Sequence, residues 1–103
     1  MSLIRTKTVK WDKPSSSEVI AHYVYVHRGE GRINYTDPRV RVLMPECEVK
    51  LPGSFPVETF QPGITYKIGV SAADEQDNES DIVEVDYPFD FVPPDPPTGL
   101  KVV

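Results

Sequence analysis

Ile64, Tyr66, Ile68, Val70 and Ala72 recur at every second position, and this alternation constrains the chain more than any other feature. A period of two places all five side chains on one face of a β-strand. Thr65, Lys67, Gly69 and Ser71 fall on the other face. Pro62-Gly63 precedes the run and reads as a turn, because Pro presets φ and Gly accepts φ > 0. The segment predicts a strand central in its sheet and lying over the core.

Weaker versions of the same pattern flank it. Thr8-Val9-Lys10-Trp11 alternates, with Val9 and Trp11 on one face, until Asp12-Lys13-Pro14-Ser15 breaks it. Ile20 to Arg28 is rich in aromatic and β-branched residues and predicts a second strand. Tyr23 and Tyr25 share one of its faces and Val24 and Val26 the other, so both faces are expected to be covered or to meet a partner. Gly29-Glu30-Gly31 predicts a tight turn and Asp37-Pro38 another, after which Val40, Val42 and Met44 line one strand face. Cys47, Val49 and Leu51 predict a short strand ended by Pro52-Gly53, and Ser54 to Phe60 a loop insertion. Residues 74–81 are eight polar residues in a row, expected as an exposed hairpin loop before a last strand through Val83, Val85 and Tyr87. Eleven prolines scattered over 103 residues argue against long helices. Short strands at close spacing with frequent turn signals predict an all-β sandwich or barrel.

At this length one domain with one modest core is expected. No apolar run approaches the ~18–20 residues of a spanning helix. A formal net charge of −5 disfavours nucleic acid and anionic lipid as partners, since both reward clustered Lys and Arg. The single cysteine, Cys47, has no internal partner for a disulfide, so cysteine leaves the compartment open.

Four stretches resemble the fibronectin type III family. Val9-Lys10-Trp11 is similar to that family's second strand, where a core Trp closes the strand. Tyr23-Val24-Tyr25 resembles its third strand, and Phe60-Gln61-Pro62-Gly63-Ile64-Thr65-Tyr66 its apolar-x-Pro-Gly-x-x-Tyr signature. Residues 72–80 look like the loop between the last two strands of bacterial members. The resemblance covers roughly residues 6 to 88. It implies an immunoglobulin-like (fibronectin type III) β-sandwich of about seven strands. It also implies a corner hydrogen bond for Tyr66, and a module of a longer, multi-module protein in an extracellular, cell-surface or periplasmic setting. The family's opening Pro-x-x-Leu-x-Val strand is missing before Trp11 and is found instead as Pro97-Thr98-Gly99-Leu100-Lys101-Val102. Residues 1–90 are accordingly read as the domain. Residues 91–103 are read as a Pro-rich linker with the start of a following module or an exchanged edge strand. From Asp90 to Thr98 spans roughly 27 Å at ~3.3 Å per residue. A sandwich of strands of roughly seven to eight residues is about 25 Å tall, so return within one molecule is tight and exchange between molecules is easier.

Chemistry is sparse. Cys47 keeps step with Val49 and Leu51 and is expected as a small buried hydrophobe. His22 and His27 lie on opposite faces of one strand, cannot share a metal there, and are expected at the surface or a loop edge. The acidic loop Asp74, Glu75, Asp77, Glu79, Asp81 offers oxygen ligands suited to calcium, but lacks the central Gly and terminal Glu of an EF-hand. A solvated hairpin tip is the plainer expectation. Gly29-Glu30-Gly31 lacks the lysine and helix of a phosphate loop. No catalytic residue, cofactor or metal site is expected. Val9, Trp11, Tyr23, Tyr25, Val49, Tyr66, Ile68, Val70 and Ala72 are the expected core. Loops 29–38, 52–60 and 74–81 and the tail are expected to carry recognition, with Glu30, Tyr35, Phe55, Asp77, Asn78, Leu100 and Val102 as candidate contacts. The expected function is a non-catalytic spacer, adhesion or protein-binding module. Its partners would be another protein or neighbouring modules of its own chain, with a dimer through the C-terminal tail as a further expectation. The alternative is a carbohydrate-binding accessory domain of a secreted hydrolase, with Tyr35 or Tyr87 as a stacking platform.

Overall fold

Strand pairing turns these alternating segments into two sheets. The computed structural model describes residues 6–56, 59–60, 64–85 and 95–103, and these contain no helix longer than a single turn. Six strands are present among them: β1 (Lys7–Lys10), β2 (Ala21–Arg28), β3 (Arg39–Leu43), β4 (Glu48–Leu51), β5 (Tyr66–Ala73) and β6 (Val83–Glu84). All pair antiparallel. β1 and β4 make one sheet; the other four make a second in the order β3-β2-β5-β6. The chain is therefore all-β with two antiparallel sheets. β5 is central, as its alternation predicts, and pairs with β2 over eight residues from Ala21↔Ala73 to Arg28↔Tyr66.

The core between the sheets draws on both. Val24 and Val26 from β2, Tyr66 and Ile68 from β5, Val49 and Leu51 from β4, and Phe55 form one buried cluster. Val9, Trp11, Val40, Val42, Phe60, Ile64, Val70 and Val85 pack against its margin. Each fully buried aliphatic side chain stabilises by roughly 1.5–3 kcal/mol. This changes two expectations. Tyr23 and Tyr25 are buried but belong to a second cluster on the opposite face of the sheet, with Ile33, Ala73 and Ile82. On that face the Tyr23 and Tyr25 hydroxyls find acceptors in Asp77 and Glu79, as a buried phenol requires. Phe55 is not a loop contact. It is 6% exposed, stands edge-on to Phe60 at 5.9 Å, and closes one end of the core.

Other expectations shift less. Cys47 is half-buried and just precedes β4. The last strand keeps two ladder residues, Val83 and Glu84, with a further bond from Val85 N to Ile68 O. Gly29 and Gly31 both adopt positive φ, as a turn there requires. Tyr87, Pro62-Gly63 and Asp90 lie outside the described residues. Residues 95–103 are exposed and join no strand, so within one chain the tail's described residues add to neither sheet.

Gly69 leaves no room for a side chain. A Cβ there would stand 2.6 Å from Ile82 Cγ2 and 2.7 Å from Ile33 Cδ1, both closer than carbon atoms approach. Gly69→Ala is expected to destabilise by about 1–3 kcal/mol through overpacking. Urea unfolding at equilibrium reads this directly, and an unchanged midpoint would contradict the packing described.

Candidate interaction surface

The second face of the large sheet is closed by a polar network. Tyr23 and Tyr25 project from β2, and Arg39 on β3 sits in register with Tyr25. The Arg39 guanidinium carbon lies 3.9 Å from the Tyr23 ring centroid, a cation–π contact. Glu79 reaches in from the β5–β6 loop. Its carboxylate accepts from Tyr25 Oη, from Ser71 Oγ at 2.7 Å and from Arg39 Nη1 at 2.9 Å. Arg39 Nη1 also donates to Tyr25 Oη at 3.0 Å. Asp77 accepts from Tyr23 Oη at 2.7 Å and holds φ at 62° to do so within a tight loop. The bond to Asp77, and then burial, raise the Tyr23 pKa; burial, and then the bond to Glu79, raise that of Tyr25. Both phenols stay protonated and act as donors, so the arrangement ties the loop to the sheet.

The acidic loop is thus less free than its composition suggests. Asp74 Oδ1 accepts from Asn78 N at 2.9 Å and Gln76 N at 3.0 Å, and these bonds, led by Asn78, hold its pKa below the usual value. Among the described residues no group of three or more His, Cys, Asp or Glu converges as a metal site would require.

His27 holds two neighbouring loops. Its Nδ1 lies 2.8 Å from Asp37 Oδ2 and its Nε2 2.9 Å from the Glu30 carbonyl. Both partners accept, so the two contacts together call for the doubly protonated ring. Asp37, and then the Glu30 carbonyl, raise the His27 pKa. Lys67 Nζ donates to the Gly31 carbonyl at 2.8 Å and secures the same turn. His22 is the reverse case. It is 4% exposed, not at the surface, and burial lowers its pKa.

An apolar groove of about 300 Å³ lies between β1 and β6. Val9 and Trp11 form one wall, Val83 and Val85 the other, with His22 and Val70 between them. β1 is the edge of its sheet and β6 of the other. Among the described residues neither outer edge is paired. Trp11 stands 5.2 Å from the His22 ring, and Trp11 Nε1 and His22 Nδ1 are buried without a hydrogen-bond partner.

The expected contact residues do not converge. Glu30, Asp77 and Asn78 are exposed on two loops. Tyr35 is 49% exposed, stands edge-on to Tyr25 at 6.1 Å, and donates to the Ser80 carbonyl at 2.8 Å. Leu100 and Val102 are 94% and 100% exposed on the tail. The groove was reachable from the sequence only through Val9, Trp11, Val83 and Val85. Arg39, Ser71 and Glu79 gave no signal beyond being polar.

Glu79→Ala removes the acceptor shared by three donors and is expected to destabilise by about 1–3 kcal/mol. Glu79→Gln, which keeps one amide oxygen, should lose less, as chemical denaturation will measure; equal loss would contradict the shared-acceptor geometry. The histidines act in separate pH windows. His27 has a raised pKa in the folded state, so its stabilising effect is complete below about pH 6.5 and is lost as pH rises through its folded value. His22 has a lowered pKa, so its effect is complete above about pH 6.5 and is lost as pH falls toward its folded value. NMR titration should place the His27 midpoint above the ordinary histidine value of about 6.5 and move it down in Asp37→Asn. A His27 midpoint at or below that ordinary value would contradict the pairing.

No protein-family model, curated protein or solved structure matches the chain.

Proposed function

We propose that the chain is a non-catalytic structural and interaction module, a fibronectin type III-like β-sandwich that spaces neighbouring modules or binds a protein partner. The observation that carries this reading is the apolar groove flanked by two sheet edges with no described neighbour. An exposed edge offers main-chain donors and acceptors in a row, and a groove beside it offers a place for alternate side chains. The Trp11 side chain packed against His22 and the deep burial of Tyr66 support the family likeness. The network around Glu79 supports a scaffold role, since its polar groups are engaged with one another and hold the loops in fixed positions.

A carbohydrate-binding module would instead present stacking aromatics. Affinity electrophoresis through soluble xylan, β-glucan and glycol chitin separates the two readings. Unchanged mobility in each gel, with one cooperative thermal transition, is the result expected of a protein-binding scaffold. Retardation that disappears in Tyr35→Ala would replace this reading with the carbohydrate one.

A further inference from the structure

The groove and the tail are complementary. Val9 on β1 and Trp11, the residue just after that strand, stand two positions apart and line the groove; Trp11 N still donates to the Cys47 carbonyl and keeps the β1 direction. Leu100 and Val102 stand two positions apart on the tail, are exposed, and in an extended chain share one face. A strand laid along the outer edge of β1 would therefore place Leu100 and Val102 beside Val9 and Trp11 as cross-strand neighbours. Lys101 would then point to water. At about 300 Å³ the opening is at the small end of ligand pockets, a size that suits a few side chains.

We infer that the occupant is residues 98–103 of a second copy of this chain. In one copy those residues are exposed and join no sheet, while the β1 edge has no described neighbour. Reciprocal exchange satisfies both surfaces twice in one two-fold assembly. This rests on the interaction-module reading above and names the partner for its groove.

Leu100→Asp/Val102→Asp tests the assignment without touching the folded body, because both side chains are exposed. Light scattering on the full chain over a concentration series should show a dimer that becomes a monomer in the double variant. Trp11, the only tryptophan, reports from inside the groove. Its emission should change on dimerisation, and a synthetic peptide of residues 95–103 should reproduce that change in the double variant. A wild-type monomer whose Trp11 emission ignores the peptide overturns the inference. So does a dimer that persists in the double variant. A monomer whose Trp11 emission depends on Leu100 and Val102 also overturns it, since the tail would then be docking within its own chain. None of these outcomes retards the chain on a polysaccharide, so failure of this inference stays distinct from failure of the module reading.

Discussion

The eight-residue pairing of β2 with β5 is the contact on which the remaining structure depends. Every other strand of the large sheet is added to this pair, β3 on the β2 side and β6 on the β5 side. Both strands are covered on both faces, so each must satisfy two different interiors at once. One is apolar, with Val24, Val26 and Ile68 against Val49 and Leu51 of the other sheet. The other is mixed, with two tyrosines, an arginine and a glutamate. Gly69 lies where the second interior is thinnest, pressed by Ile33 and Ile82.

The mixed interior links fold to function. A loop of eight polar residues would ordinarily move freely, yet Glu79 and Asp77 anchor it to hydroxyls on β2 and β5. His27 does the same for the turns at Glu30 and Asp37. Loops tied down in this way fit the proposed spacer role. Among the described residues the groove between β1 and β6 sets an apolar lining beside two sheet edges that carry no further strand. An edge of this kind invites another strand unless something blunts it.

Much of this was legible in the residues. The alternation through Tyr66, Ile68, Val70 and Ala72 marked β5, and the dense β-formers from Ala21 to Arg28 marked β2. The paired glycines marked the turn at 29–31. Periodicity also showed that β2 would be covered on both faces, but it could not say which face met the second sheet. Tyrosine and valine are both strand formers, and only the need to bond a hydroxyl separates them. Phe55 was misplaced because a lone aromatic between a Gly-Ser pair and a proline carries no period. Glu79 was hidden among eight polar neighbours, and Arg39 is partnered with it across forty residues of chain. Such pairings arise from strand register, which one-dimensional patterns do not contain. Short strands at close spacing pointed to an all-β chain, but the groove became visible only once β1 and β6 were placed.

The central claim is that the β2–β5 pair, covered on both faces, is the last part of the chain to open. Native-state hydrogen exchange tests it most directly. Amides in the β2–β5 ladder, such as those of the facing pair Tyr25 and Gly69, are expected to exchange only through global unfolding and to share its denaturant dependence. Amides of the short edge strands β1 and β6 should exchange through smaller openings. If the β2–β5 amides instead exchange as readily as those of β1 and β6, the sheet has no privileged centre and the account fails.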